Sequence, residues 1–338
     1  MLLKASAFLI LMTATIAQAG ALPGYLRDGG SRFLYRSFGS TCYSMDSIER
    51  GLPCNPAFIA KNDKQRFASD LFLGTNMDYL SDVDDMVNGR ATPEQVNRIF
   101  SRRDASQAEA SLEASFQART WGFSVEPYRM VFYTDIHNPA LPAINFIAAE
   151  EQNIRLQLSS YVRENFYAGV QLRYSHVKFV GNYIMLTEAF AADSEEIFRS
   201  RAQNLIFVEP GFVYAWDDES WQPQVSAMLS NWGFADEKSD QYPVKPQGLL
   251  GASVKPPVGL GVLEIGTQFA IHSDTEHWQE AFRAAMAYKI GILQLALSGG
   301  QRDHSAGFML VYENITSGLS YWGEDQDNGV YISFGVQL

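Results

Sequence analysis

The feature that most constrains the fold of this chain is an alternation of apolar and polar residues that recurs in segments of about ten residues. Between residues 329 and 338, every second residue is apolar, and the intervening residues are glycine, tyrosine, serine or glutamine. Segments 154–163, 166–174, 261–272 and 281–290 follow the same rule. Because successive side chains of a strand point to opposite faces, each segment predicts a β-strand with one apolar and one polar face.

The length of these segments favours strands that cross a membrane. A tilted strand needs about ten residues to cross a bilayer, whereas the average strand of a soluble sheet has five or six. Aromatic residues also stand at the ends of some apolar faces, such as Phe166 and Tyr174, as they do in the interfacial girdles of membrane barrels. These features favour a membrane barrel over the alternative, a secreted soluble β-sandwich.

About fourteen alternating segments run from residue 67 to residue 338. They are 67–75, 113–123, 126–134, 153–163, 166–180, 205–216, 223–233, 246–255, 261–272, 280–289, 291–300, 305–313, 315–322 and 328–338. An even number of strands lets a barrel close with both ends on the same side of the membrane. The sequence therefore predicts an all-β fold, a closed antiparallel transmembrane β-barrel over residues 67–338.

The N-terminus predicts secretion. Lys4 precedes an apolar stretch that ends in Ala17-Gln18-Ala19, a small-x-small cleavage site. The stretch is shorter than the roughly 20 residues of a membrane-spanning helix, so residues 1–19 are interpreted as a cleaved signal peptide. Together with the barrel pattern, this predicts a Gram-negative outer-membrane protein in contact with outer-membrane lipid. The last strand, 328–338, is the expected signal for the barrel-insertion machinery, although it ends in leucine where many barrels end in phenylalanine.

Charge and composition exclude several classes of function. The formal net charge is −12 and the basic residues are scattered, so we expect no binding to nucleic acid. No residues have the spacing of a nucleotide-binding loop or a metal site, and no catalytic serine and histidine are recognisable, so we predict no enzyme activity, metal or cofactor. Cys42 and Cys54 follow a secretion signal, and an oxidising compartment favours a disulfide over two free thiols.

The faces of the strands also predict what lines the lumen of the barrel. The predicted lumen-facing residues are Arg119, Trp121, Phe123, Arg155, Tyr161, Arg163, Gln171, Arg173, Glu264, Gln268 and Arg283. The arginines allow two interpretations, an anion-selective constriction or ion pairs with carboxylates such as Asp78, Asp82 and Glu94. Pairing is favoured because a buried charge needs a partner.

Residues 20–66 and 76–112 lack the alternation. Apolar residues at helical spacing in 78–87, and a cap and first-turn proline at Thr92-Pro93, predict a short helical insertion at 76–112 that lies inside the barrel or beneath it. Residues 20–66, which contain both cysteines, are interpreted as a plug in the lumen or as a periplasmic segment. The disulfide favours the ordered plug, because a disordered tail gains nothing from a cross-link.

The order of these elements resembles a known superfamily. Gly51-Leu-Pro-Cys-Asn55-Pro56-Ala57, directly before the first strand, is similar to the Asn-Pro-Ala element that precedes the first strand in the FadL superfamily of long-chain fatty-acid transporters. The helical insertion and the strand 166–174 are similar in order and spacing to the PorV-like and TraF-like branch. The resemblance covers residues 51–180 and implies a fourteen-stranded barrel with a plug and, in transporting members, hydrophobic substrates.

The first functional hypothesis is therefore a FadL-like barrel that passes or holds a hydrophobic, lipid-like molecule, with Asn55, Pro56 and Ala57 near the gate of the plug. A predicted lumen that mixes charged and aromatic side chains suits such a ligand better than a water-filled channel does. The alternative from another class is a barrel that transports nothing and serves as a docking or structural protein, including as a homo-oligomer. A third hypothesis is a general porin for small polar solutes.

Overall fold

The computed structural model describes residues 32–48, 50–75, 82, 84–95, 106–137, 143–185, 199–217, 219–236, 242, 244–272, 275, 278–301, 303–324 and 327–338. Its strands are β1 (Arg66–Thr75), β2 (Ser106–Gln117), β3 (Trp121–His137), β4 (Ala143–Arg163), β5 (Phe166–Met185), β6 (Arg201–Ala215), β7 (Gln224–Ser230), β8 (Gly233–Ala235), β9 (Gln247–Val254), β10 (Val262–His272), β11 (Phe282–Ile290), β12 (Leu293–Gly300), β13 (Asp303–Tyr312), β14 (Ile315–Glu324) and β15 (Asp327–Gln337). The helices with defined bounds are α1 (Arg32–Phe38), a 3-10 helix (Gly39–Tyr43), α2 (Phe58–Asn62) and α3 (Trp278–Ala281). No helix within these ranges has both the length and the hydropathy that a membrane span requires.

The strands form one closed antiparallel sheet. Apart from β8, strands that follow one another along the chain pair with each other, so that β7 pairs with β9, and the ladder between β1 and β15 closes the barrel. Both β7 and β8 pair with β6, and Asn231, with a φ of +56°, interrupts the chain between them. Since β7 and β8 occupy one position in the wall, the barrel has fourteen strands in cross-section. The predicted fold class is confirmed.

Side chains alternate between the outside and the lumen as the sequence pattern predicts. On β15, Val330, Ile332 and Phe334 are 52%, 39% and 54% exposed, whereas Tyr331 and Ser333 between them are fully buried. Exposed apolar residues recur at alternate positions around the other strands. On a closed barrel, such an outward apolar belt is the surface that contacts lipid.

The hairpin between β2 and β3 corrects one predicted strand. The segment 113–123 contains a turn, in which the Ala118 N–H donates to the Trp121 carbonyl at 2.7 Å. The turn resets the alternation, because Gln117 is buried on β2 and Gly122 is buried on β3. Trp121 and Phe123 therefore face outward, 41% and 39% exposed, and the prediction that they line the lumen is wrong.

The two ends of the barrel differ in shape. The end that holds both the start of β1 and the end of β15 has short turns, such as 164–165 and 313–314, which is typical of the periplasmic side. The opposite, outer end is uneven, since β4 and β5 have 21 and 20 residues whereas β12 has 8. About ten tilted residues cross a membrane, so the outer ends of β3–β6 project beyond it.

The described part of the helical insertion lies against the outside of this projecting wall. Met86 and Val87 are 1% exposed and pack against Met130 and Phe132, which alternate with inward-facing residues of β3. The Lys178 ammonium on β5 donates to the Asn88 side-chain oxygen at 2.7 Å. This part of the insertion therefore lies neither inside the barrel nor beneath it, because its apolar residues cover the outer face of strands too long to be covered by lipid.

Two details of the insertion test the sequence prediction. The Gln95 N–H donates to the Thr92 hydroxyl at 3.3 Å, and the Thr92 N–H donates to the Gln95 side-chain oxygen at 2.8 Å. This reciprocal pair confirms the predicted helix cap at Thr92. The insertion ends earlier than predicted, because β2 begins at Ser106 and the segment 106–112 belongs to the wall.

Candidate functional site: a plug anchored in the barrel lumen

Residues 32–62 lie inside the barrel and are called the plug below. Nearly all described residues from 33 to 59 are buried. Along the chain, α1 contacts β12–β15, the 3-10 helix contacts β7 and β9–β11, and α2 contacts β3–β5. The plug therefore touches the wall on three sides and occupies the space between them.

The Asn55-Pro56-Ala57 turn of the plug is held tightly against β5 and β6. The Asn55 side-chain oxygen accepts the Ala57 N–H at 3.0 Å, and its amide donates to the carbonyls of Tyr43 and Phe212 at 3.3 and 3.4 Å. Glycine in the wall makes room for the turn, since a Cβ at Gly169 would lie 2.7 Å from the backbone of Pro56. The turn is a buried contact between plug and wall in this structure.

Cys42 and Cys54 form a disulfide, with their Cα atoms 5.8 Å apart. Both residues are buried, 4% and 2% exposed. The bond joins the 3-10 helix to the turn that precedes α2. It therefore links the parts of the plug that contact opposite sides of the wall.

Arg129 of β3 is the centre of a buried ion-pair network. Its guanidinium donates to Glu109 at 2.8 Å and to Glu151 at 2.6 Å. Arg36 of the plug donates to the other oxygen of Glu109 at 2.5 Å, and the Tyr242 hydroxyl donates to the other oxygen of Glu151 at 2.7 Å. The network connects the plug to three neighbouring strands.

Further arginines pair with carboxylates of the wall rather than with those of the insertion. The pairs are Arg50 with Asp70, Arg155 with Glu113, Arg173 with Glu209 and Arg283 with Asp303. Ion pairing in the lumen is therefore present, and these arginines do not form the ring of free positive charge that an anion-selective constriction needs. Within the described ranges, no three His, Cys, Asp or Glu side chains come together as a metal site.

A second ionic cluster fixes the plug near the periplasmic end. The carboxylate of Asp46 accepts from Lys61 at 2.9 Å and lies 2.5 Å from the Lys255 ammonium, and the Asp46 and Ser47 N–H groups donate to Glu264 at 3.1 and 2.8 Å. Burial would raise the pKa of Asp46, but Lys61 and Lys255 outweigh burial and hold that pKa below its ordinary value. Burial would lower the pKa of Lys255, but Asp46 and Glu264 hold it above its ordinary value. Asp46 and Lys255 are therefore both charged at neutral pH.

The structure separates the predicted lumen residues into two groups. Those that are buried on the inner face are Arg155, Gln171, Arg173, Glu264, Gln268 and Arg283. Arg119 lies in the β2–β3 turn, where its side chain is 72% exposed and 3.6 Å from Asp63. Tyr161, 57% exposed, and Arg163 lie at the β4–β5 hairpin on the periplasmic rim. The lumen prediction is wrong for these three, because alternation does not show where a strand ends.

The predicted partners of the lumen arginines are also corrected. Asp78 lies outside the described residues, and Asp82 and Glu94 belong to the insertion on the outside of the wall. Sequence reasoning missed the true partners, such as Glu109 and Glu113 on β2. The sequence does show polar and apolar residues in alternation from 106 to 117. The predicted strand began at residue 113, so Glu109 was not assigned to a strand.

The inner face of β3–β6 changes character at the level of Arg129. On the periplasmic side the inward residues are polar: Ser124, Glu126, Asn153, Arg155, Gln157, Gln171, Arg173, Ser175 and Glu209. On the outer side, apart from Gln203, they are apolar and are called the upper inner face: Val131, Tyr133, Ile147, Ala149, Val177, Phe179, Leu205 and Phe207. The upper inner face shares one apolar cluster with plug residues such as Phe33 and Leu34. The inner wall is therefore polar on the periplasmic side, where it binds the plug, and mainly apolar on the outer side.

The sequence matches no protein-family model and no curated protein. Several solved structures of β-barrels are similar to it, at low sequence identity. The TodX deltaS2S3 mutant, a monoaromatic hydrocarbon channel, has a TM-score of 0.50 and 10% identity over 91% of this chain and 97% of its own. The Pseudomonas putida toluene transporter TodX has a TM-score of 0.46 and 10% identity over 95% of this chain and 99% of its own.

CdiB is similar to this chain over less of its own length. CdiB from Escherichia coli has a TM-score of 0.38 and 9% identity over 81% of this chain, and the chain spans 63% of CdiB. At such identities the likeness is one of architecture. The likeness to the TodX deltaS2S3 mutant confirms the resemblance to FadL-like barrels at the level of fold. The chain has the fold of a fourteen-stranded outer-membrane β-barrel.

Proposed function

We propose that this protein takes up a small hydrophobic molecule from outside the cell and holds it on the upper inner face, above the plug. The observation that carries the proposal is the upper inner face itself. It lies on strands that project beyond the membrane, and its apolar surface continues down to the plug. A hydrophobic molecule that reaches this wall would leave water for contacts with the apolar side chains of the upper inner face.

The apolar cluster also comes near the outer surface beside β8. Ala235, Val244 and Ala270 pack on the cluster but are only partly buried. Phe234, the outward neighbour of Ala235, is 77% exposed. Apolar side chains therefore lie on both faces of the wall at this point, which suits the approach of an apolar molecule.

The solved structures suggest which ligand to test first. TodX is described as a monoaromatic hydrocarbon channel and as a toluene transporter. A small aromatic hydrocarbon is also compatible with an apolar surface that includes Phe179 and Phe207. Passage to the periplasm would require the plug to move, since it is held by ion pairs at Glu109 and by backbone contacts at Glu264.

The general-porin hypothesis has less support. A porin has a water-filled lumen, whereas inward residues of β2–β6 such as Gln157, Glu209 and Phe179 are 0%, 0% and 3% exposed. The described lumen is packed by the plug and by side chains, which suits a closed state that opens for a specific ligand.

The test is uptake of labelled toluene by a porin-deficient Gram-negative host that expresses each variant. Phe179→Glu places a charge on the upper inner face, and we expect uptake to fall at least about ten-fold, equivalent to 1.4 kcal/mol. Phe179→Leu keeps the face apolar and should retain uptake. Gln152→Glu adds the same charge at an exposed outward position of β4 and is the matched control. Normal uptake by Phe179→Glu, or a large ion conductance by the unaltered protein, would overturn the proposal.

A further inference from the structure

The outer wall of the barrel carries an apolar groove that is separate from the lumen. It has a volume of about 530 Å³ and crosses the outward faces of β10–β15. Small residues form its floor, because Ala306 and Gly307 of β13 lie beside Ala296 of β12. Larger side chains, such as Met286 and Phe308, form its sides.

The groove lies where small residues of β12 and β13 meet in the wall. A Cβ at Gly307 would lie within contact distance of the Ser37 side chain, so the plug occupies the space that a larger inward residue would fill. On the outward face, Ala306 pairs with Leu297, and its small side chain leaves a depression between Phe308 and Leu297. The outward concavity therefore follows from the small side chain of Ala306.

The position of the groove indicates its depth in the membrane. Its lower end is lined by Val258, in the connection between β9 and β10 at the periplasmic end, and by Tyr288. The Tyr288 hydroxyl donates to the Leu260 carbonyl at 2.7 Å, so this ring is fixed at the periplasmic interface. Toward the outer side, the groove ends at Tyr321 and Val330. It therefore runs from the periplasmic interface into the apolar belt.

We propose that this groove binds one acyl chain of a phospholipid from the periplasmic leaflet. The occupant must be apolar, because the groove lies within the lipid-facing belt, and it must be elongated, because the groove crosses several strands. A second copy of the chain is a poorer occupant. A two-fold interface would place the same concavity on both partners, and two facing grooves leave a void without dispersion contacts. This inference does not depend on the proposed uptake function.

The test is native mass spectrometry of the barrel after extraction from outer membranes in a mild detergent. We expect one retained phospholipid per unaltered barrel. Ala306→Trp fills the groove and should reduce retention at least ten-fold. Folding of each variant is judged by heat-modifiable mobility on gels. If Ala306→Trp does not fold, Ala306→Leu, which fills part of the groove, replaces it in the test.

The matched control is Ala284→Trp. Ala284 is an exposed outward residue of β11 that does not line the groove, so retention should remain within two-fold of the unaltered barrel. Equal phospholipid retention by both tryptophan variants would overturn the proposal. So would retention of lipopolysaccharide in place of phospholipid, or a dimer that dissociates when Ala306 is enlarged.

Discussion

The lower and upper parts of the inner wall of β3–β6 differ in the kind of contact they make. In the lower part, the Gln157 amide donates to the Pro53 carbonyl at 2.9 Å, and the Ser159 hydroxyl donates to the Ala57 carbonyl at 3.3 Å. In the upper part, Val177 and Phe179 make apolar contacts. Hydrogen bonds and ion pairs specify one position of the plug, whereas apolar contacts allow one apolar partner to replace another.

The two parts of the inner wall therefore have different roles. The polar lower part determines where the plug sits, because a buried polar group that loses its partner is destabilising. The upper inner face can exchange one apolar neighbour for another without such a cost. A ligand is therefore expected above Arg129, and stability of the plugged state is expected to depend on residues at and below it.

The largest expected effect comes from Arg129, at the boundary between the two parts. Arg129→Met removes the cation shared by Glu109 and Glu151, and we expect the free energy of unfolding to fall by about 3–5 kcal/mol. The measurement is guanidinium unfolding of the purified barrel. Arg119→Met, at a side chain that is 72% exposed, is the control and should change that free energy by less than about 0.5 kcal/mol. Equal effects of the two variants would contradict the assigned role of the network.

The next effect concerns the disulfide of the plug. Replacing both Cys42 and Cys54 by serine removes a cross-link between residues 12 apart in sequence, which is worth about 3 kcal/mol by loop-closure entropy. We expect the barrel to remain folded while the plug becomes sensitive to protease. Cleavage sites mapped by mass spectrometry should lie within residues 32–62. Cleavage in the wall instead would show that the disulfide supports the barrel as a whole.

A smaller, pH-dependent effect is expected at Asp46. Because its pKa is held below its ordinary value of 3.8, its contribution to plug docking is fully present above that pH and is lost as the pH falls through the folded-state pKa. Protease sensitivity of the plug should therefore rise on acidification below 3.8. Asp46→Asn should show raised sensitivity at neutral pH and a weaker further rise on acidification. An unchanged acid response in that variant would assign the effect to another carboxylate.

The smallest effect tests whether the outside of the upper wall depends on the insertion. Thr92→Ala removes the side-chain half of the cap to Gln95 and should cost about 1 kcal/mol locally. Hydrogen exchange should become faster at the amides of residues 94 and 95, and the lower wall should be unaffected. Faster exchange throughout β4 and β5 would show that the two parts of the wall are not separable.

Much of the wall could be predicted from the sequence, because alternation is a local property of each strand. The outward and inward sets of β15 and β5 follow from it directly, as Phe334 and Gln171 show. The pairing of Arg36 with Glu109 could not be predicted, because it joins residues 73 apart that meet only when the plug enters the barrel. The orientation of Trp121 was predicted wrongly for another reason. The tight turn at Ala118 contains no glycine or proline, so the sequence gives no sign of it.

The position of the insertion on the outside of the wall also could not be predicted from the sequence. Met86 and Val87 have the helical spacing that the sequence shows, but the surface they cover exists only because β3–β5 extend beyond the membrane. The excess length of those strands lies in segments, such as 143–152, where apolar and polar residues do not alternate clearly. Tertiary packing, rather than local pattern, decides on which side of the wall the insertion lies.

The most direct test of ligand binding on the upper inner face is to find where a hydrophobic probe contacts the protein. Outer membranes that contain the barrel would be irradiated with a small aromatic diazirine, and labelled residues would be mapped by mass spectrometry in the presence and absence of excess toluene. We expect toluene-sensitive labelling of Val131, Ile147, Phe179 and Phe207 on the upper inner face. Labelling confined to the outward belt, unchanged by toluene, would contradict it.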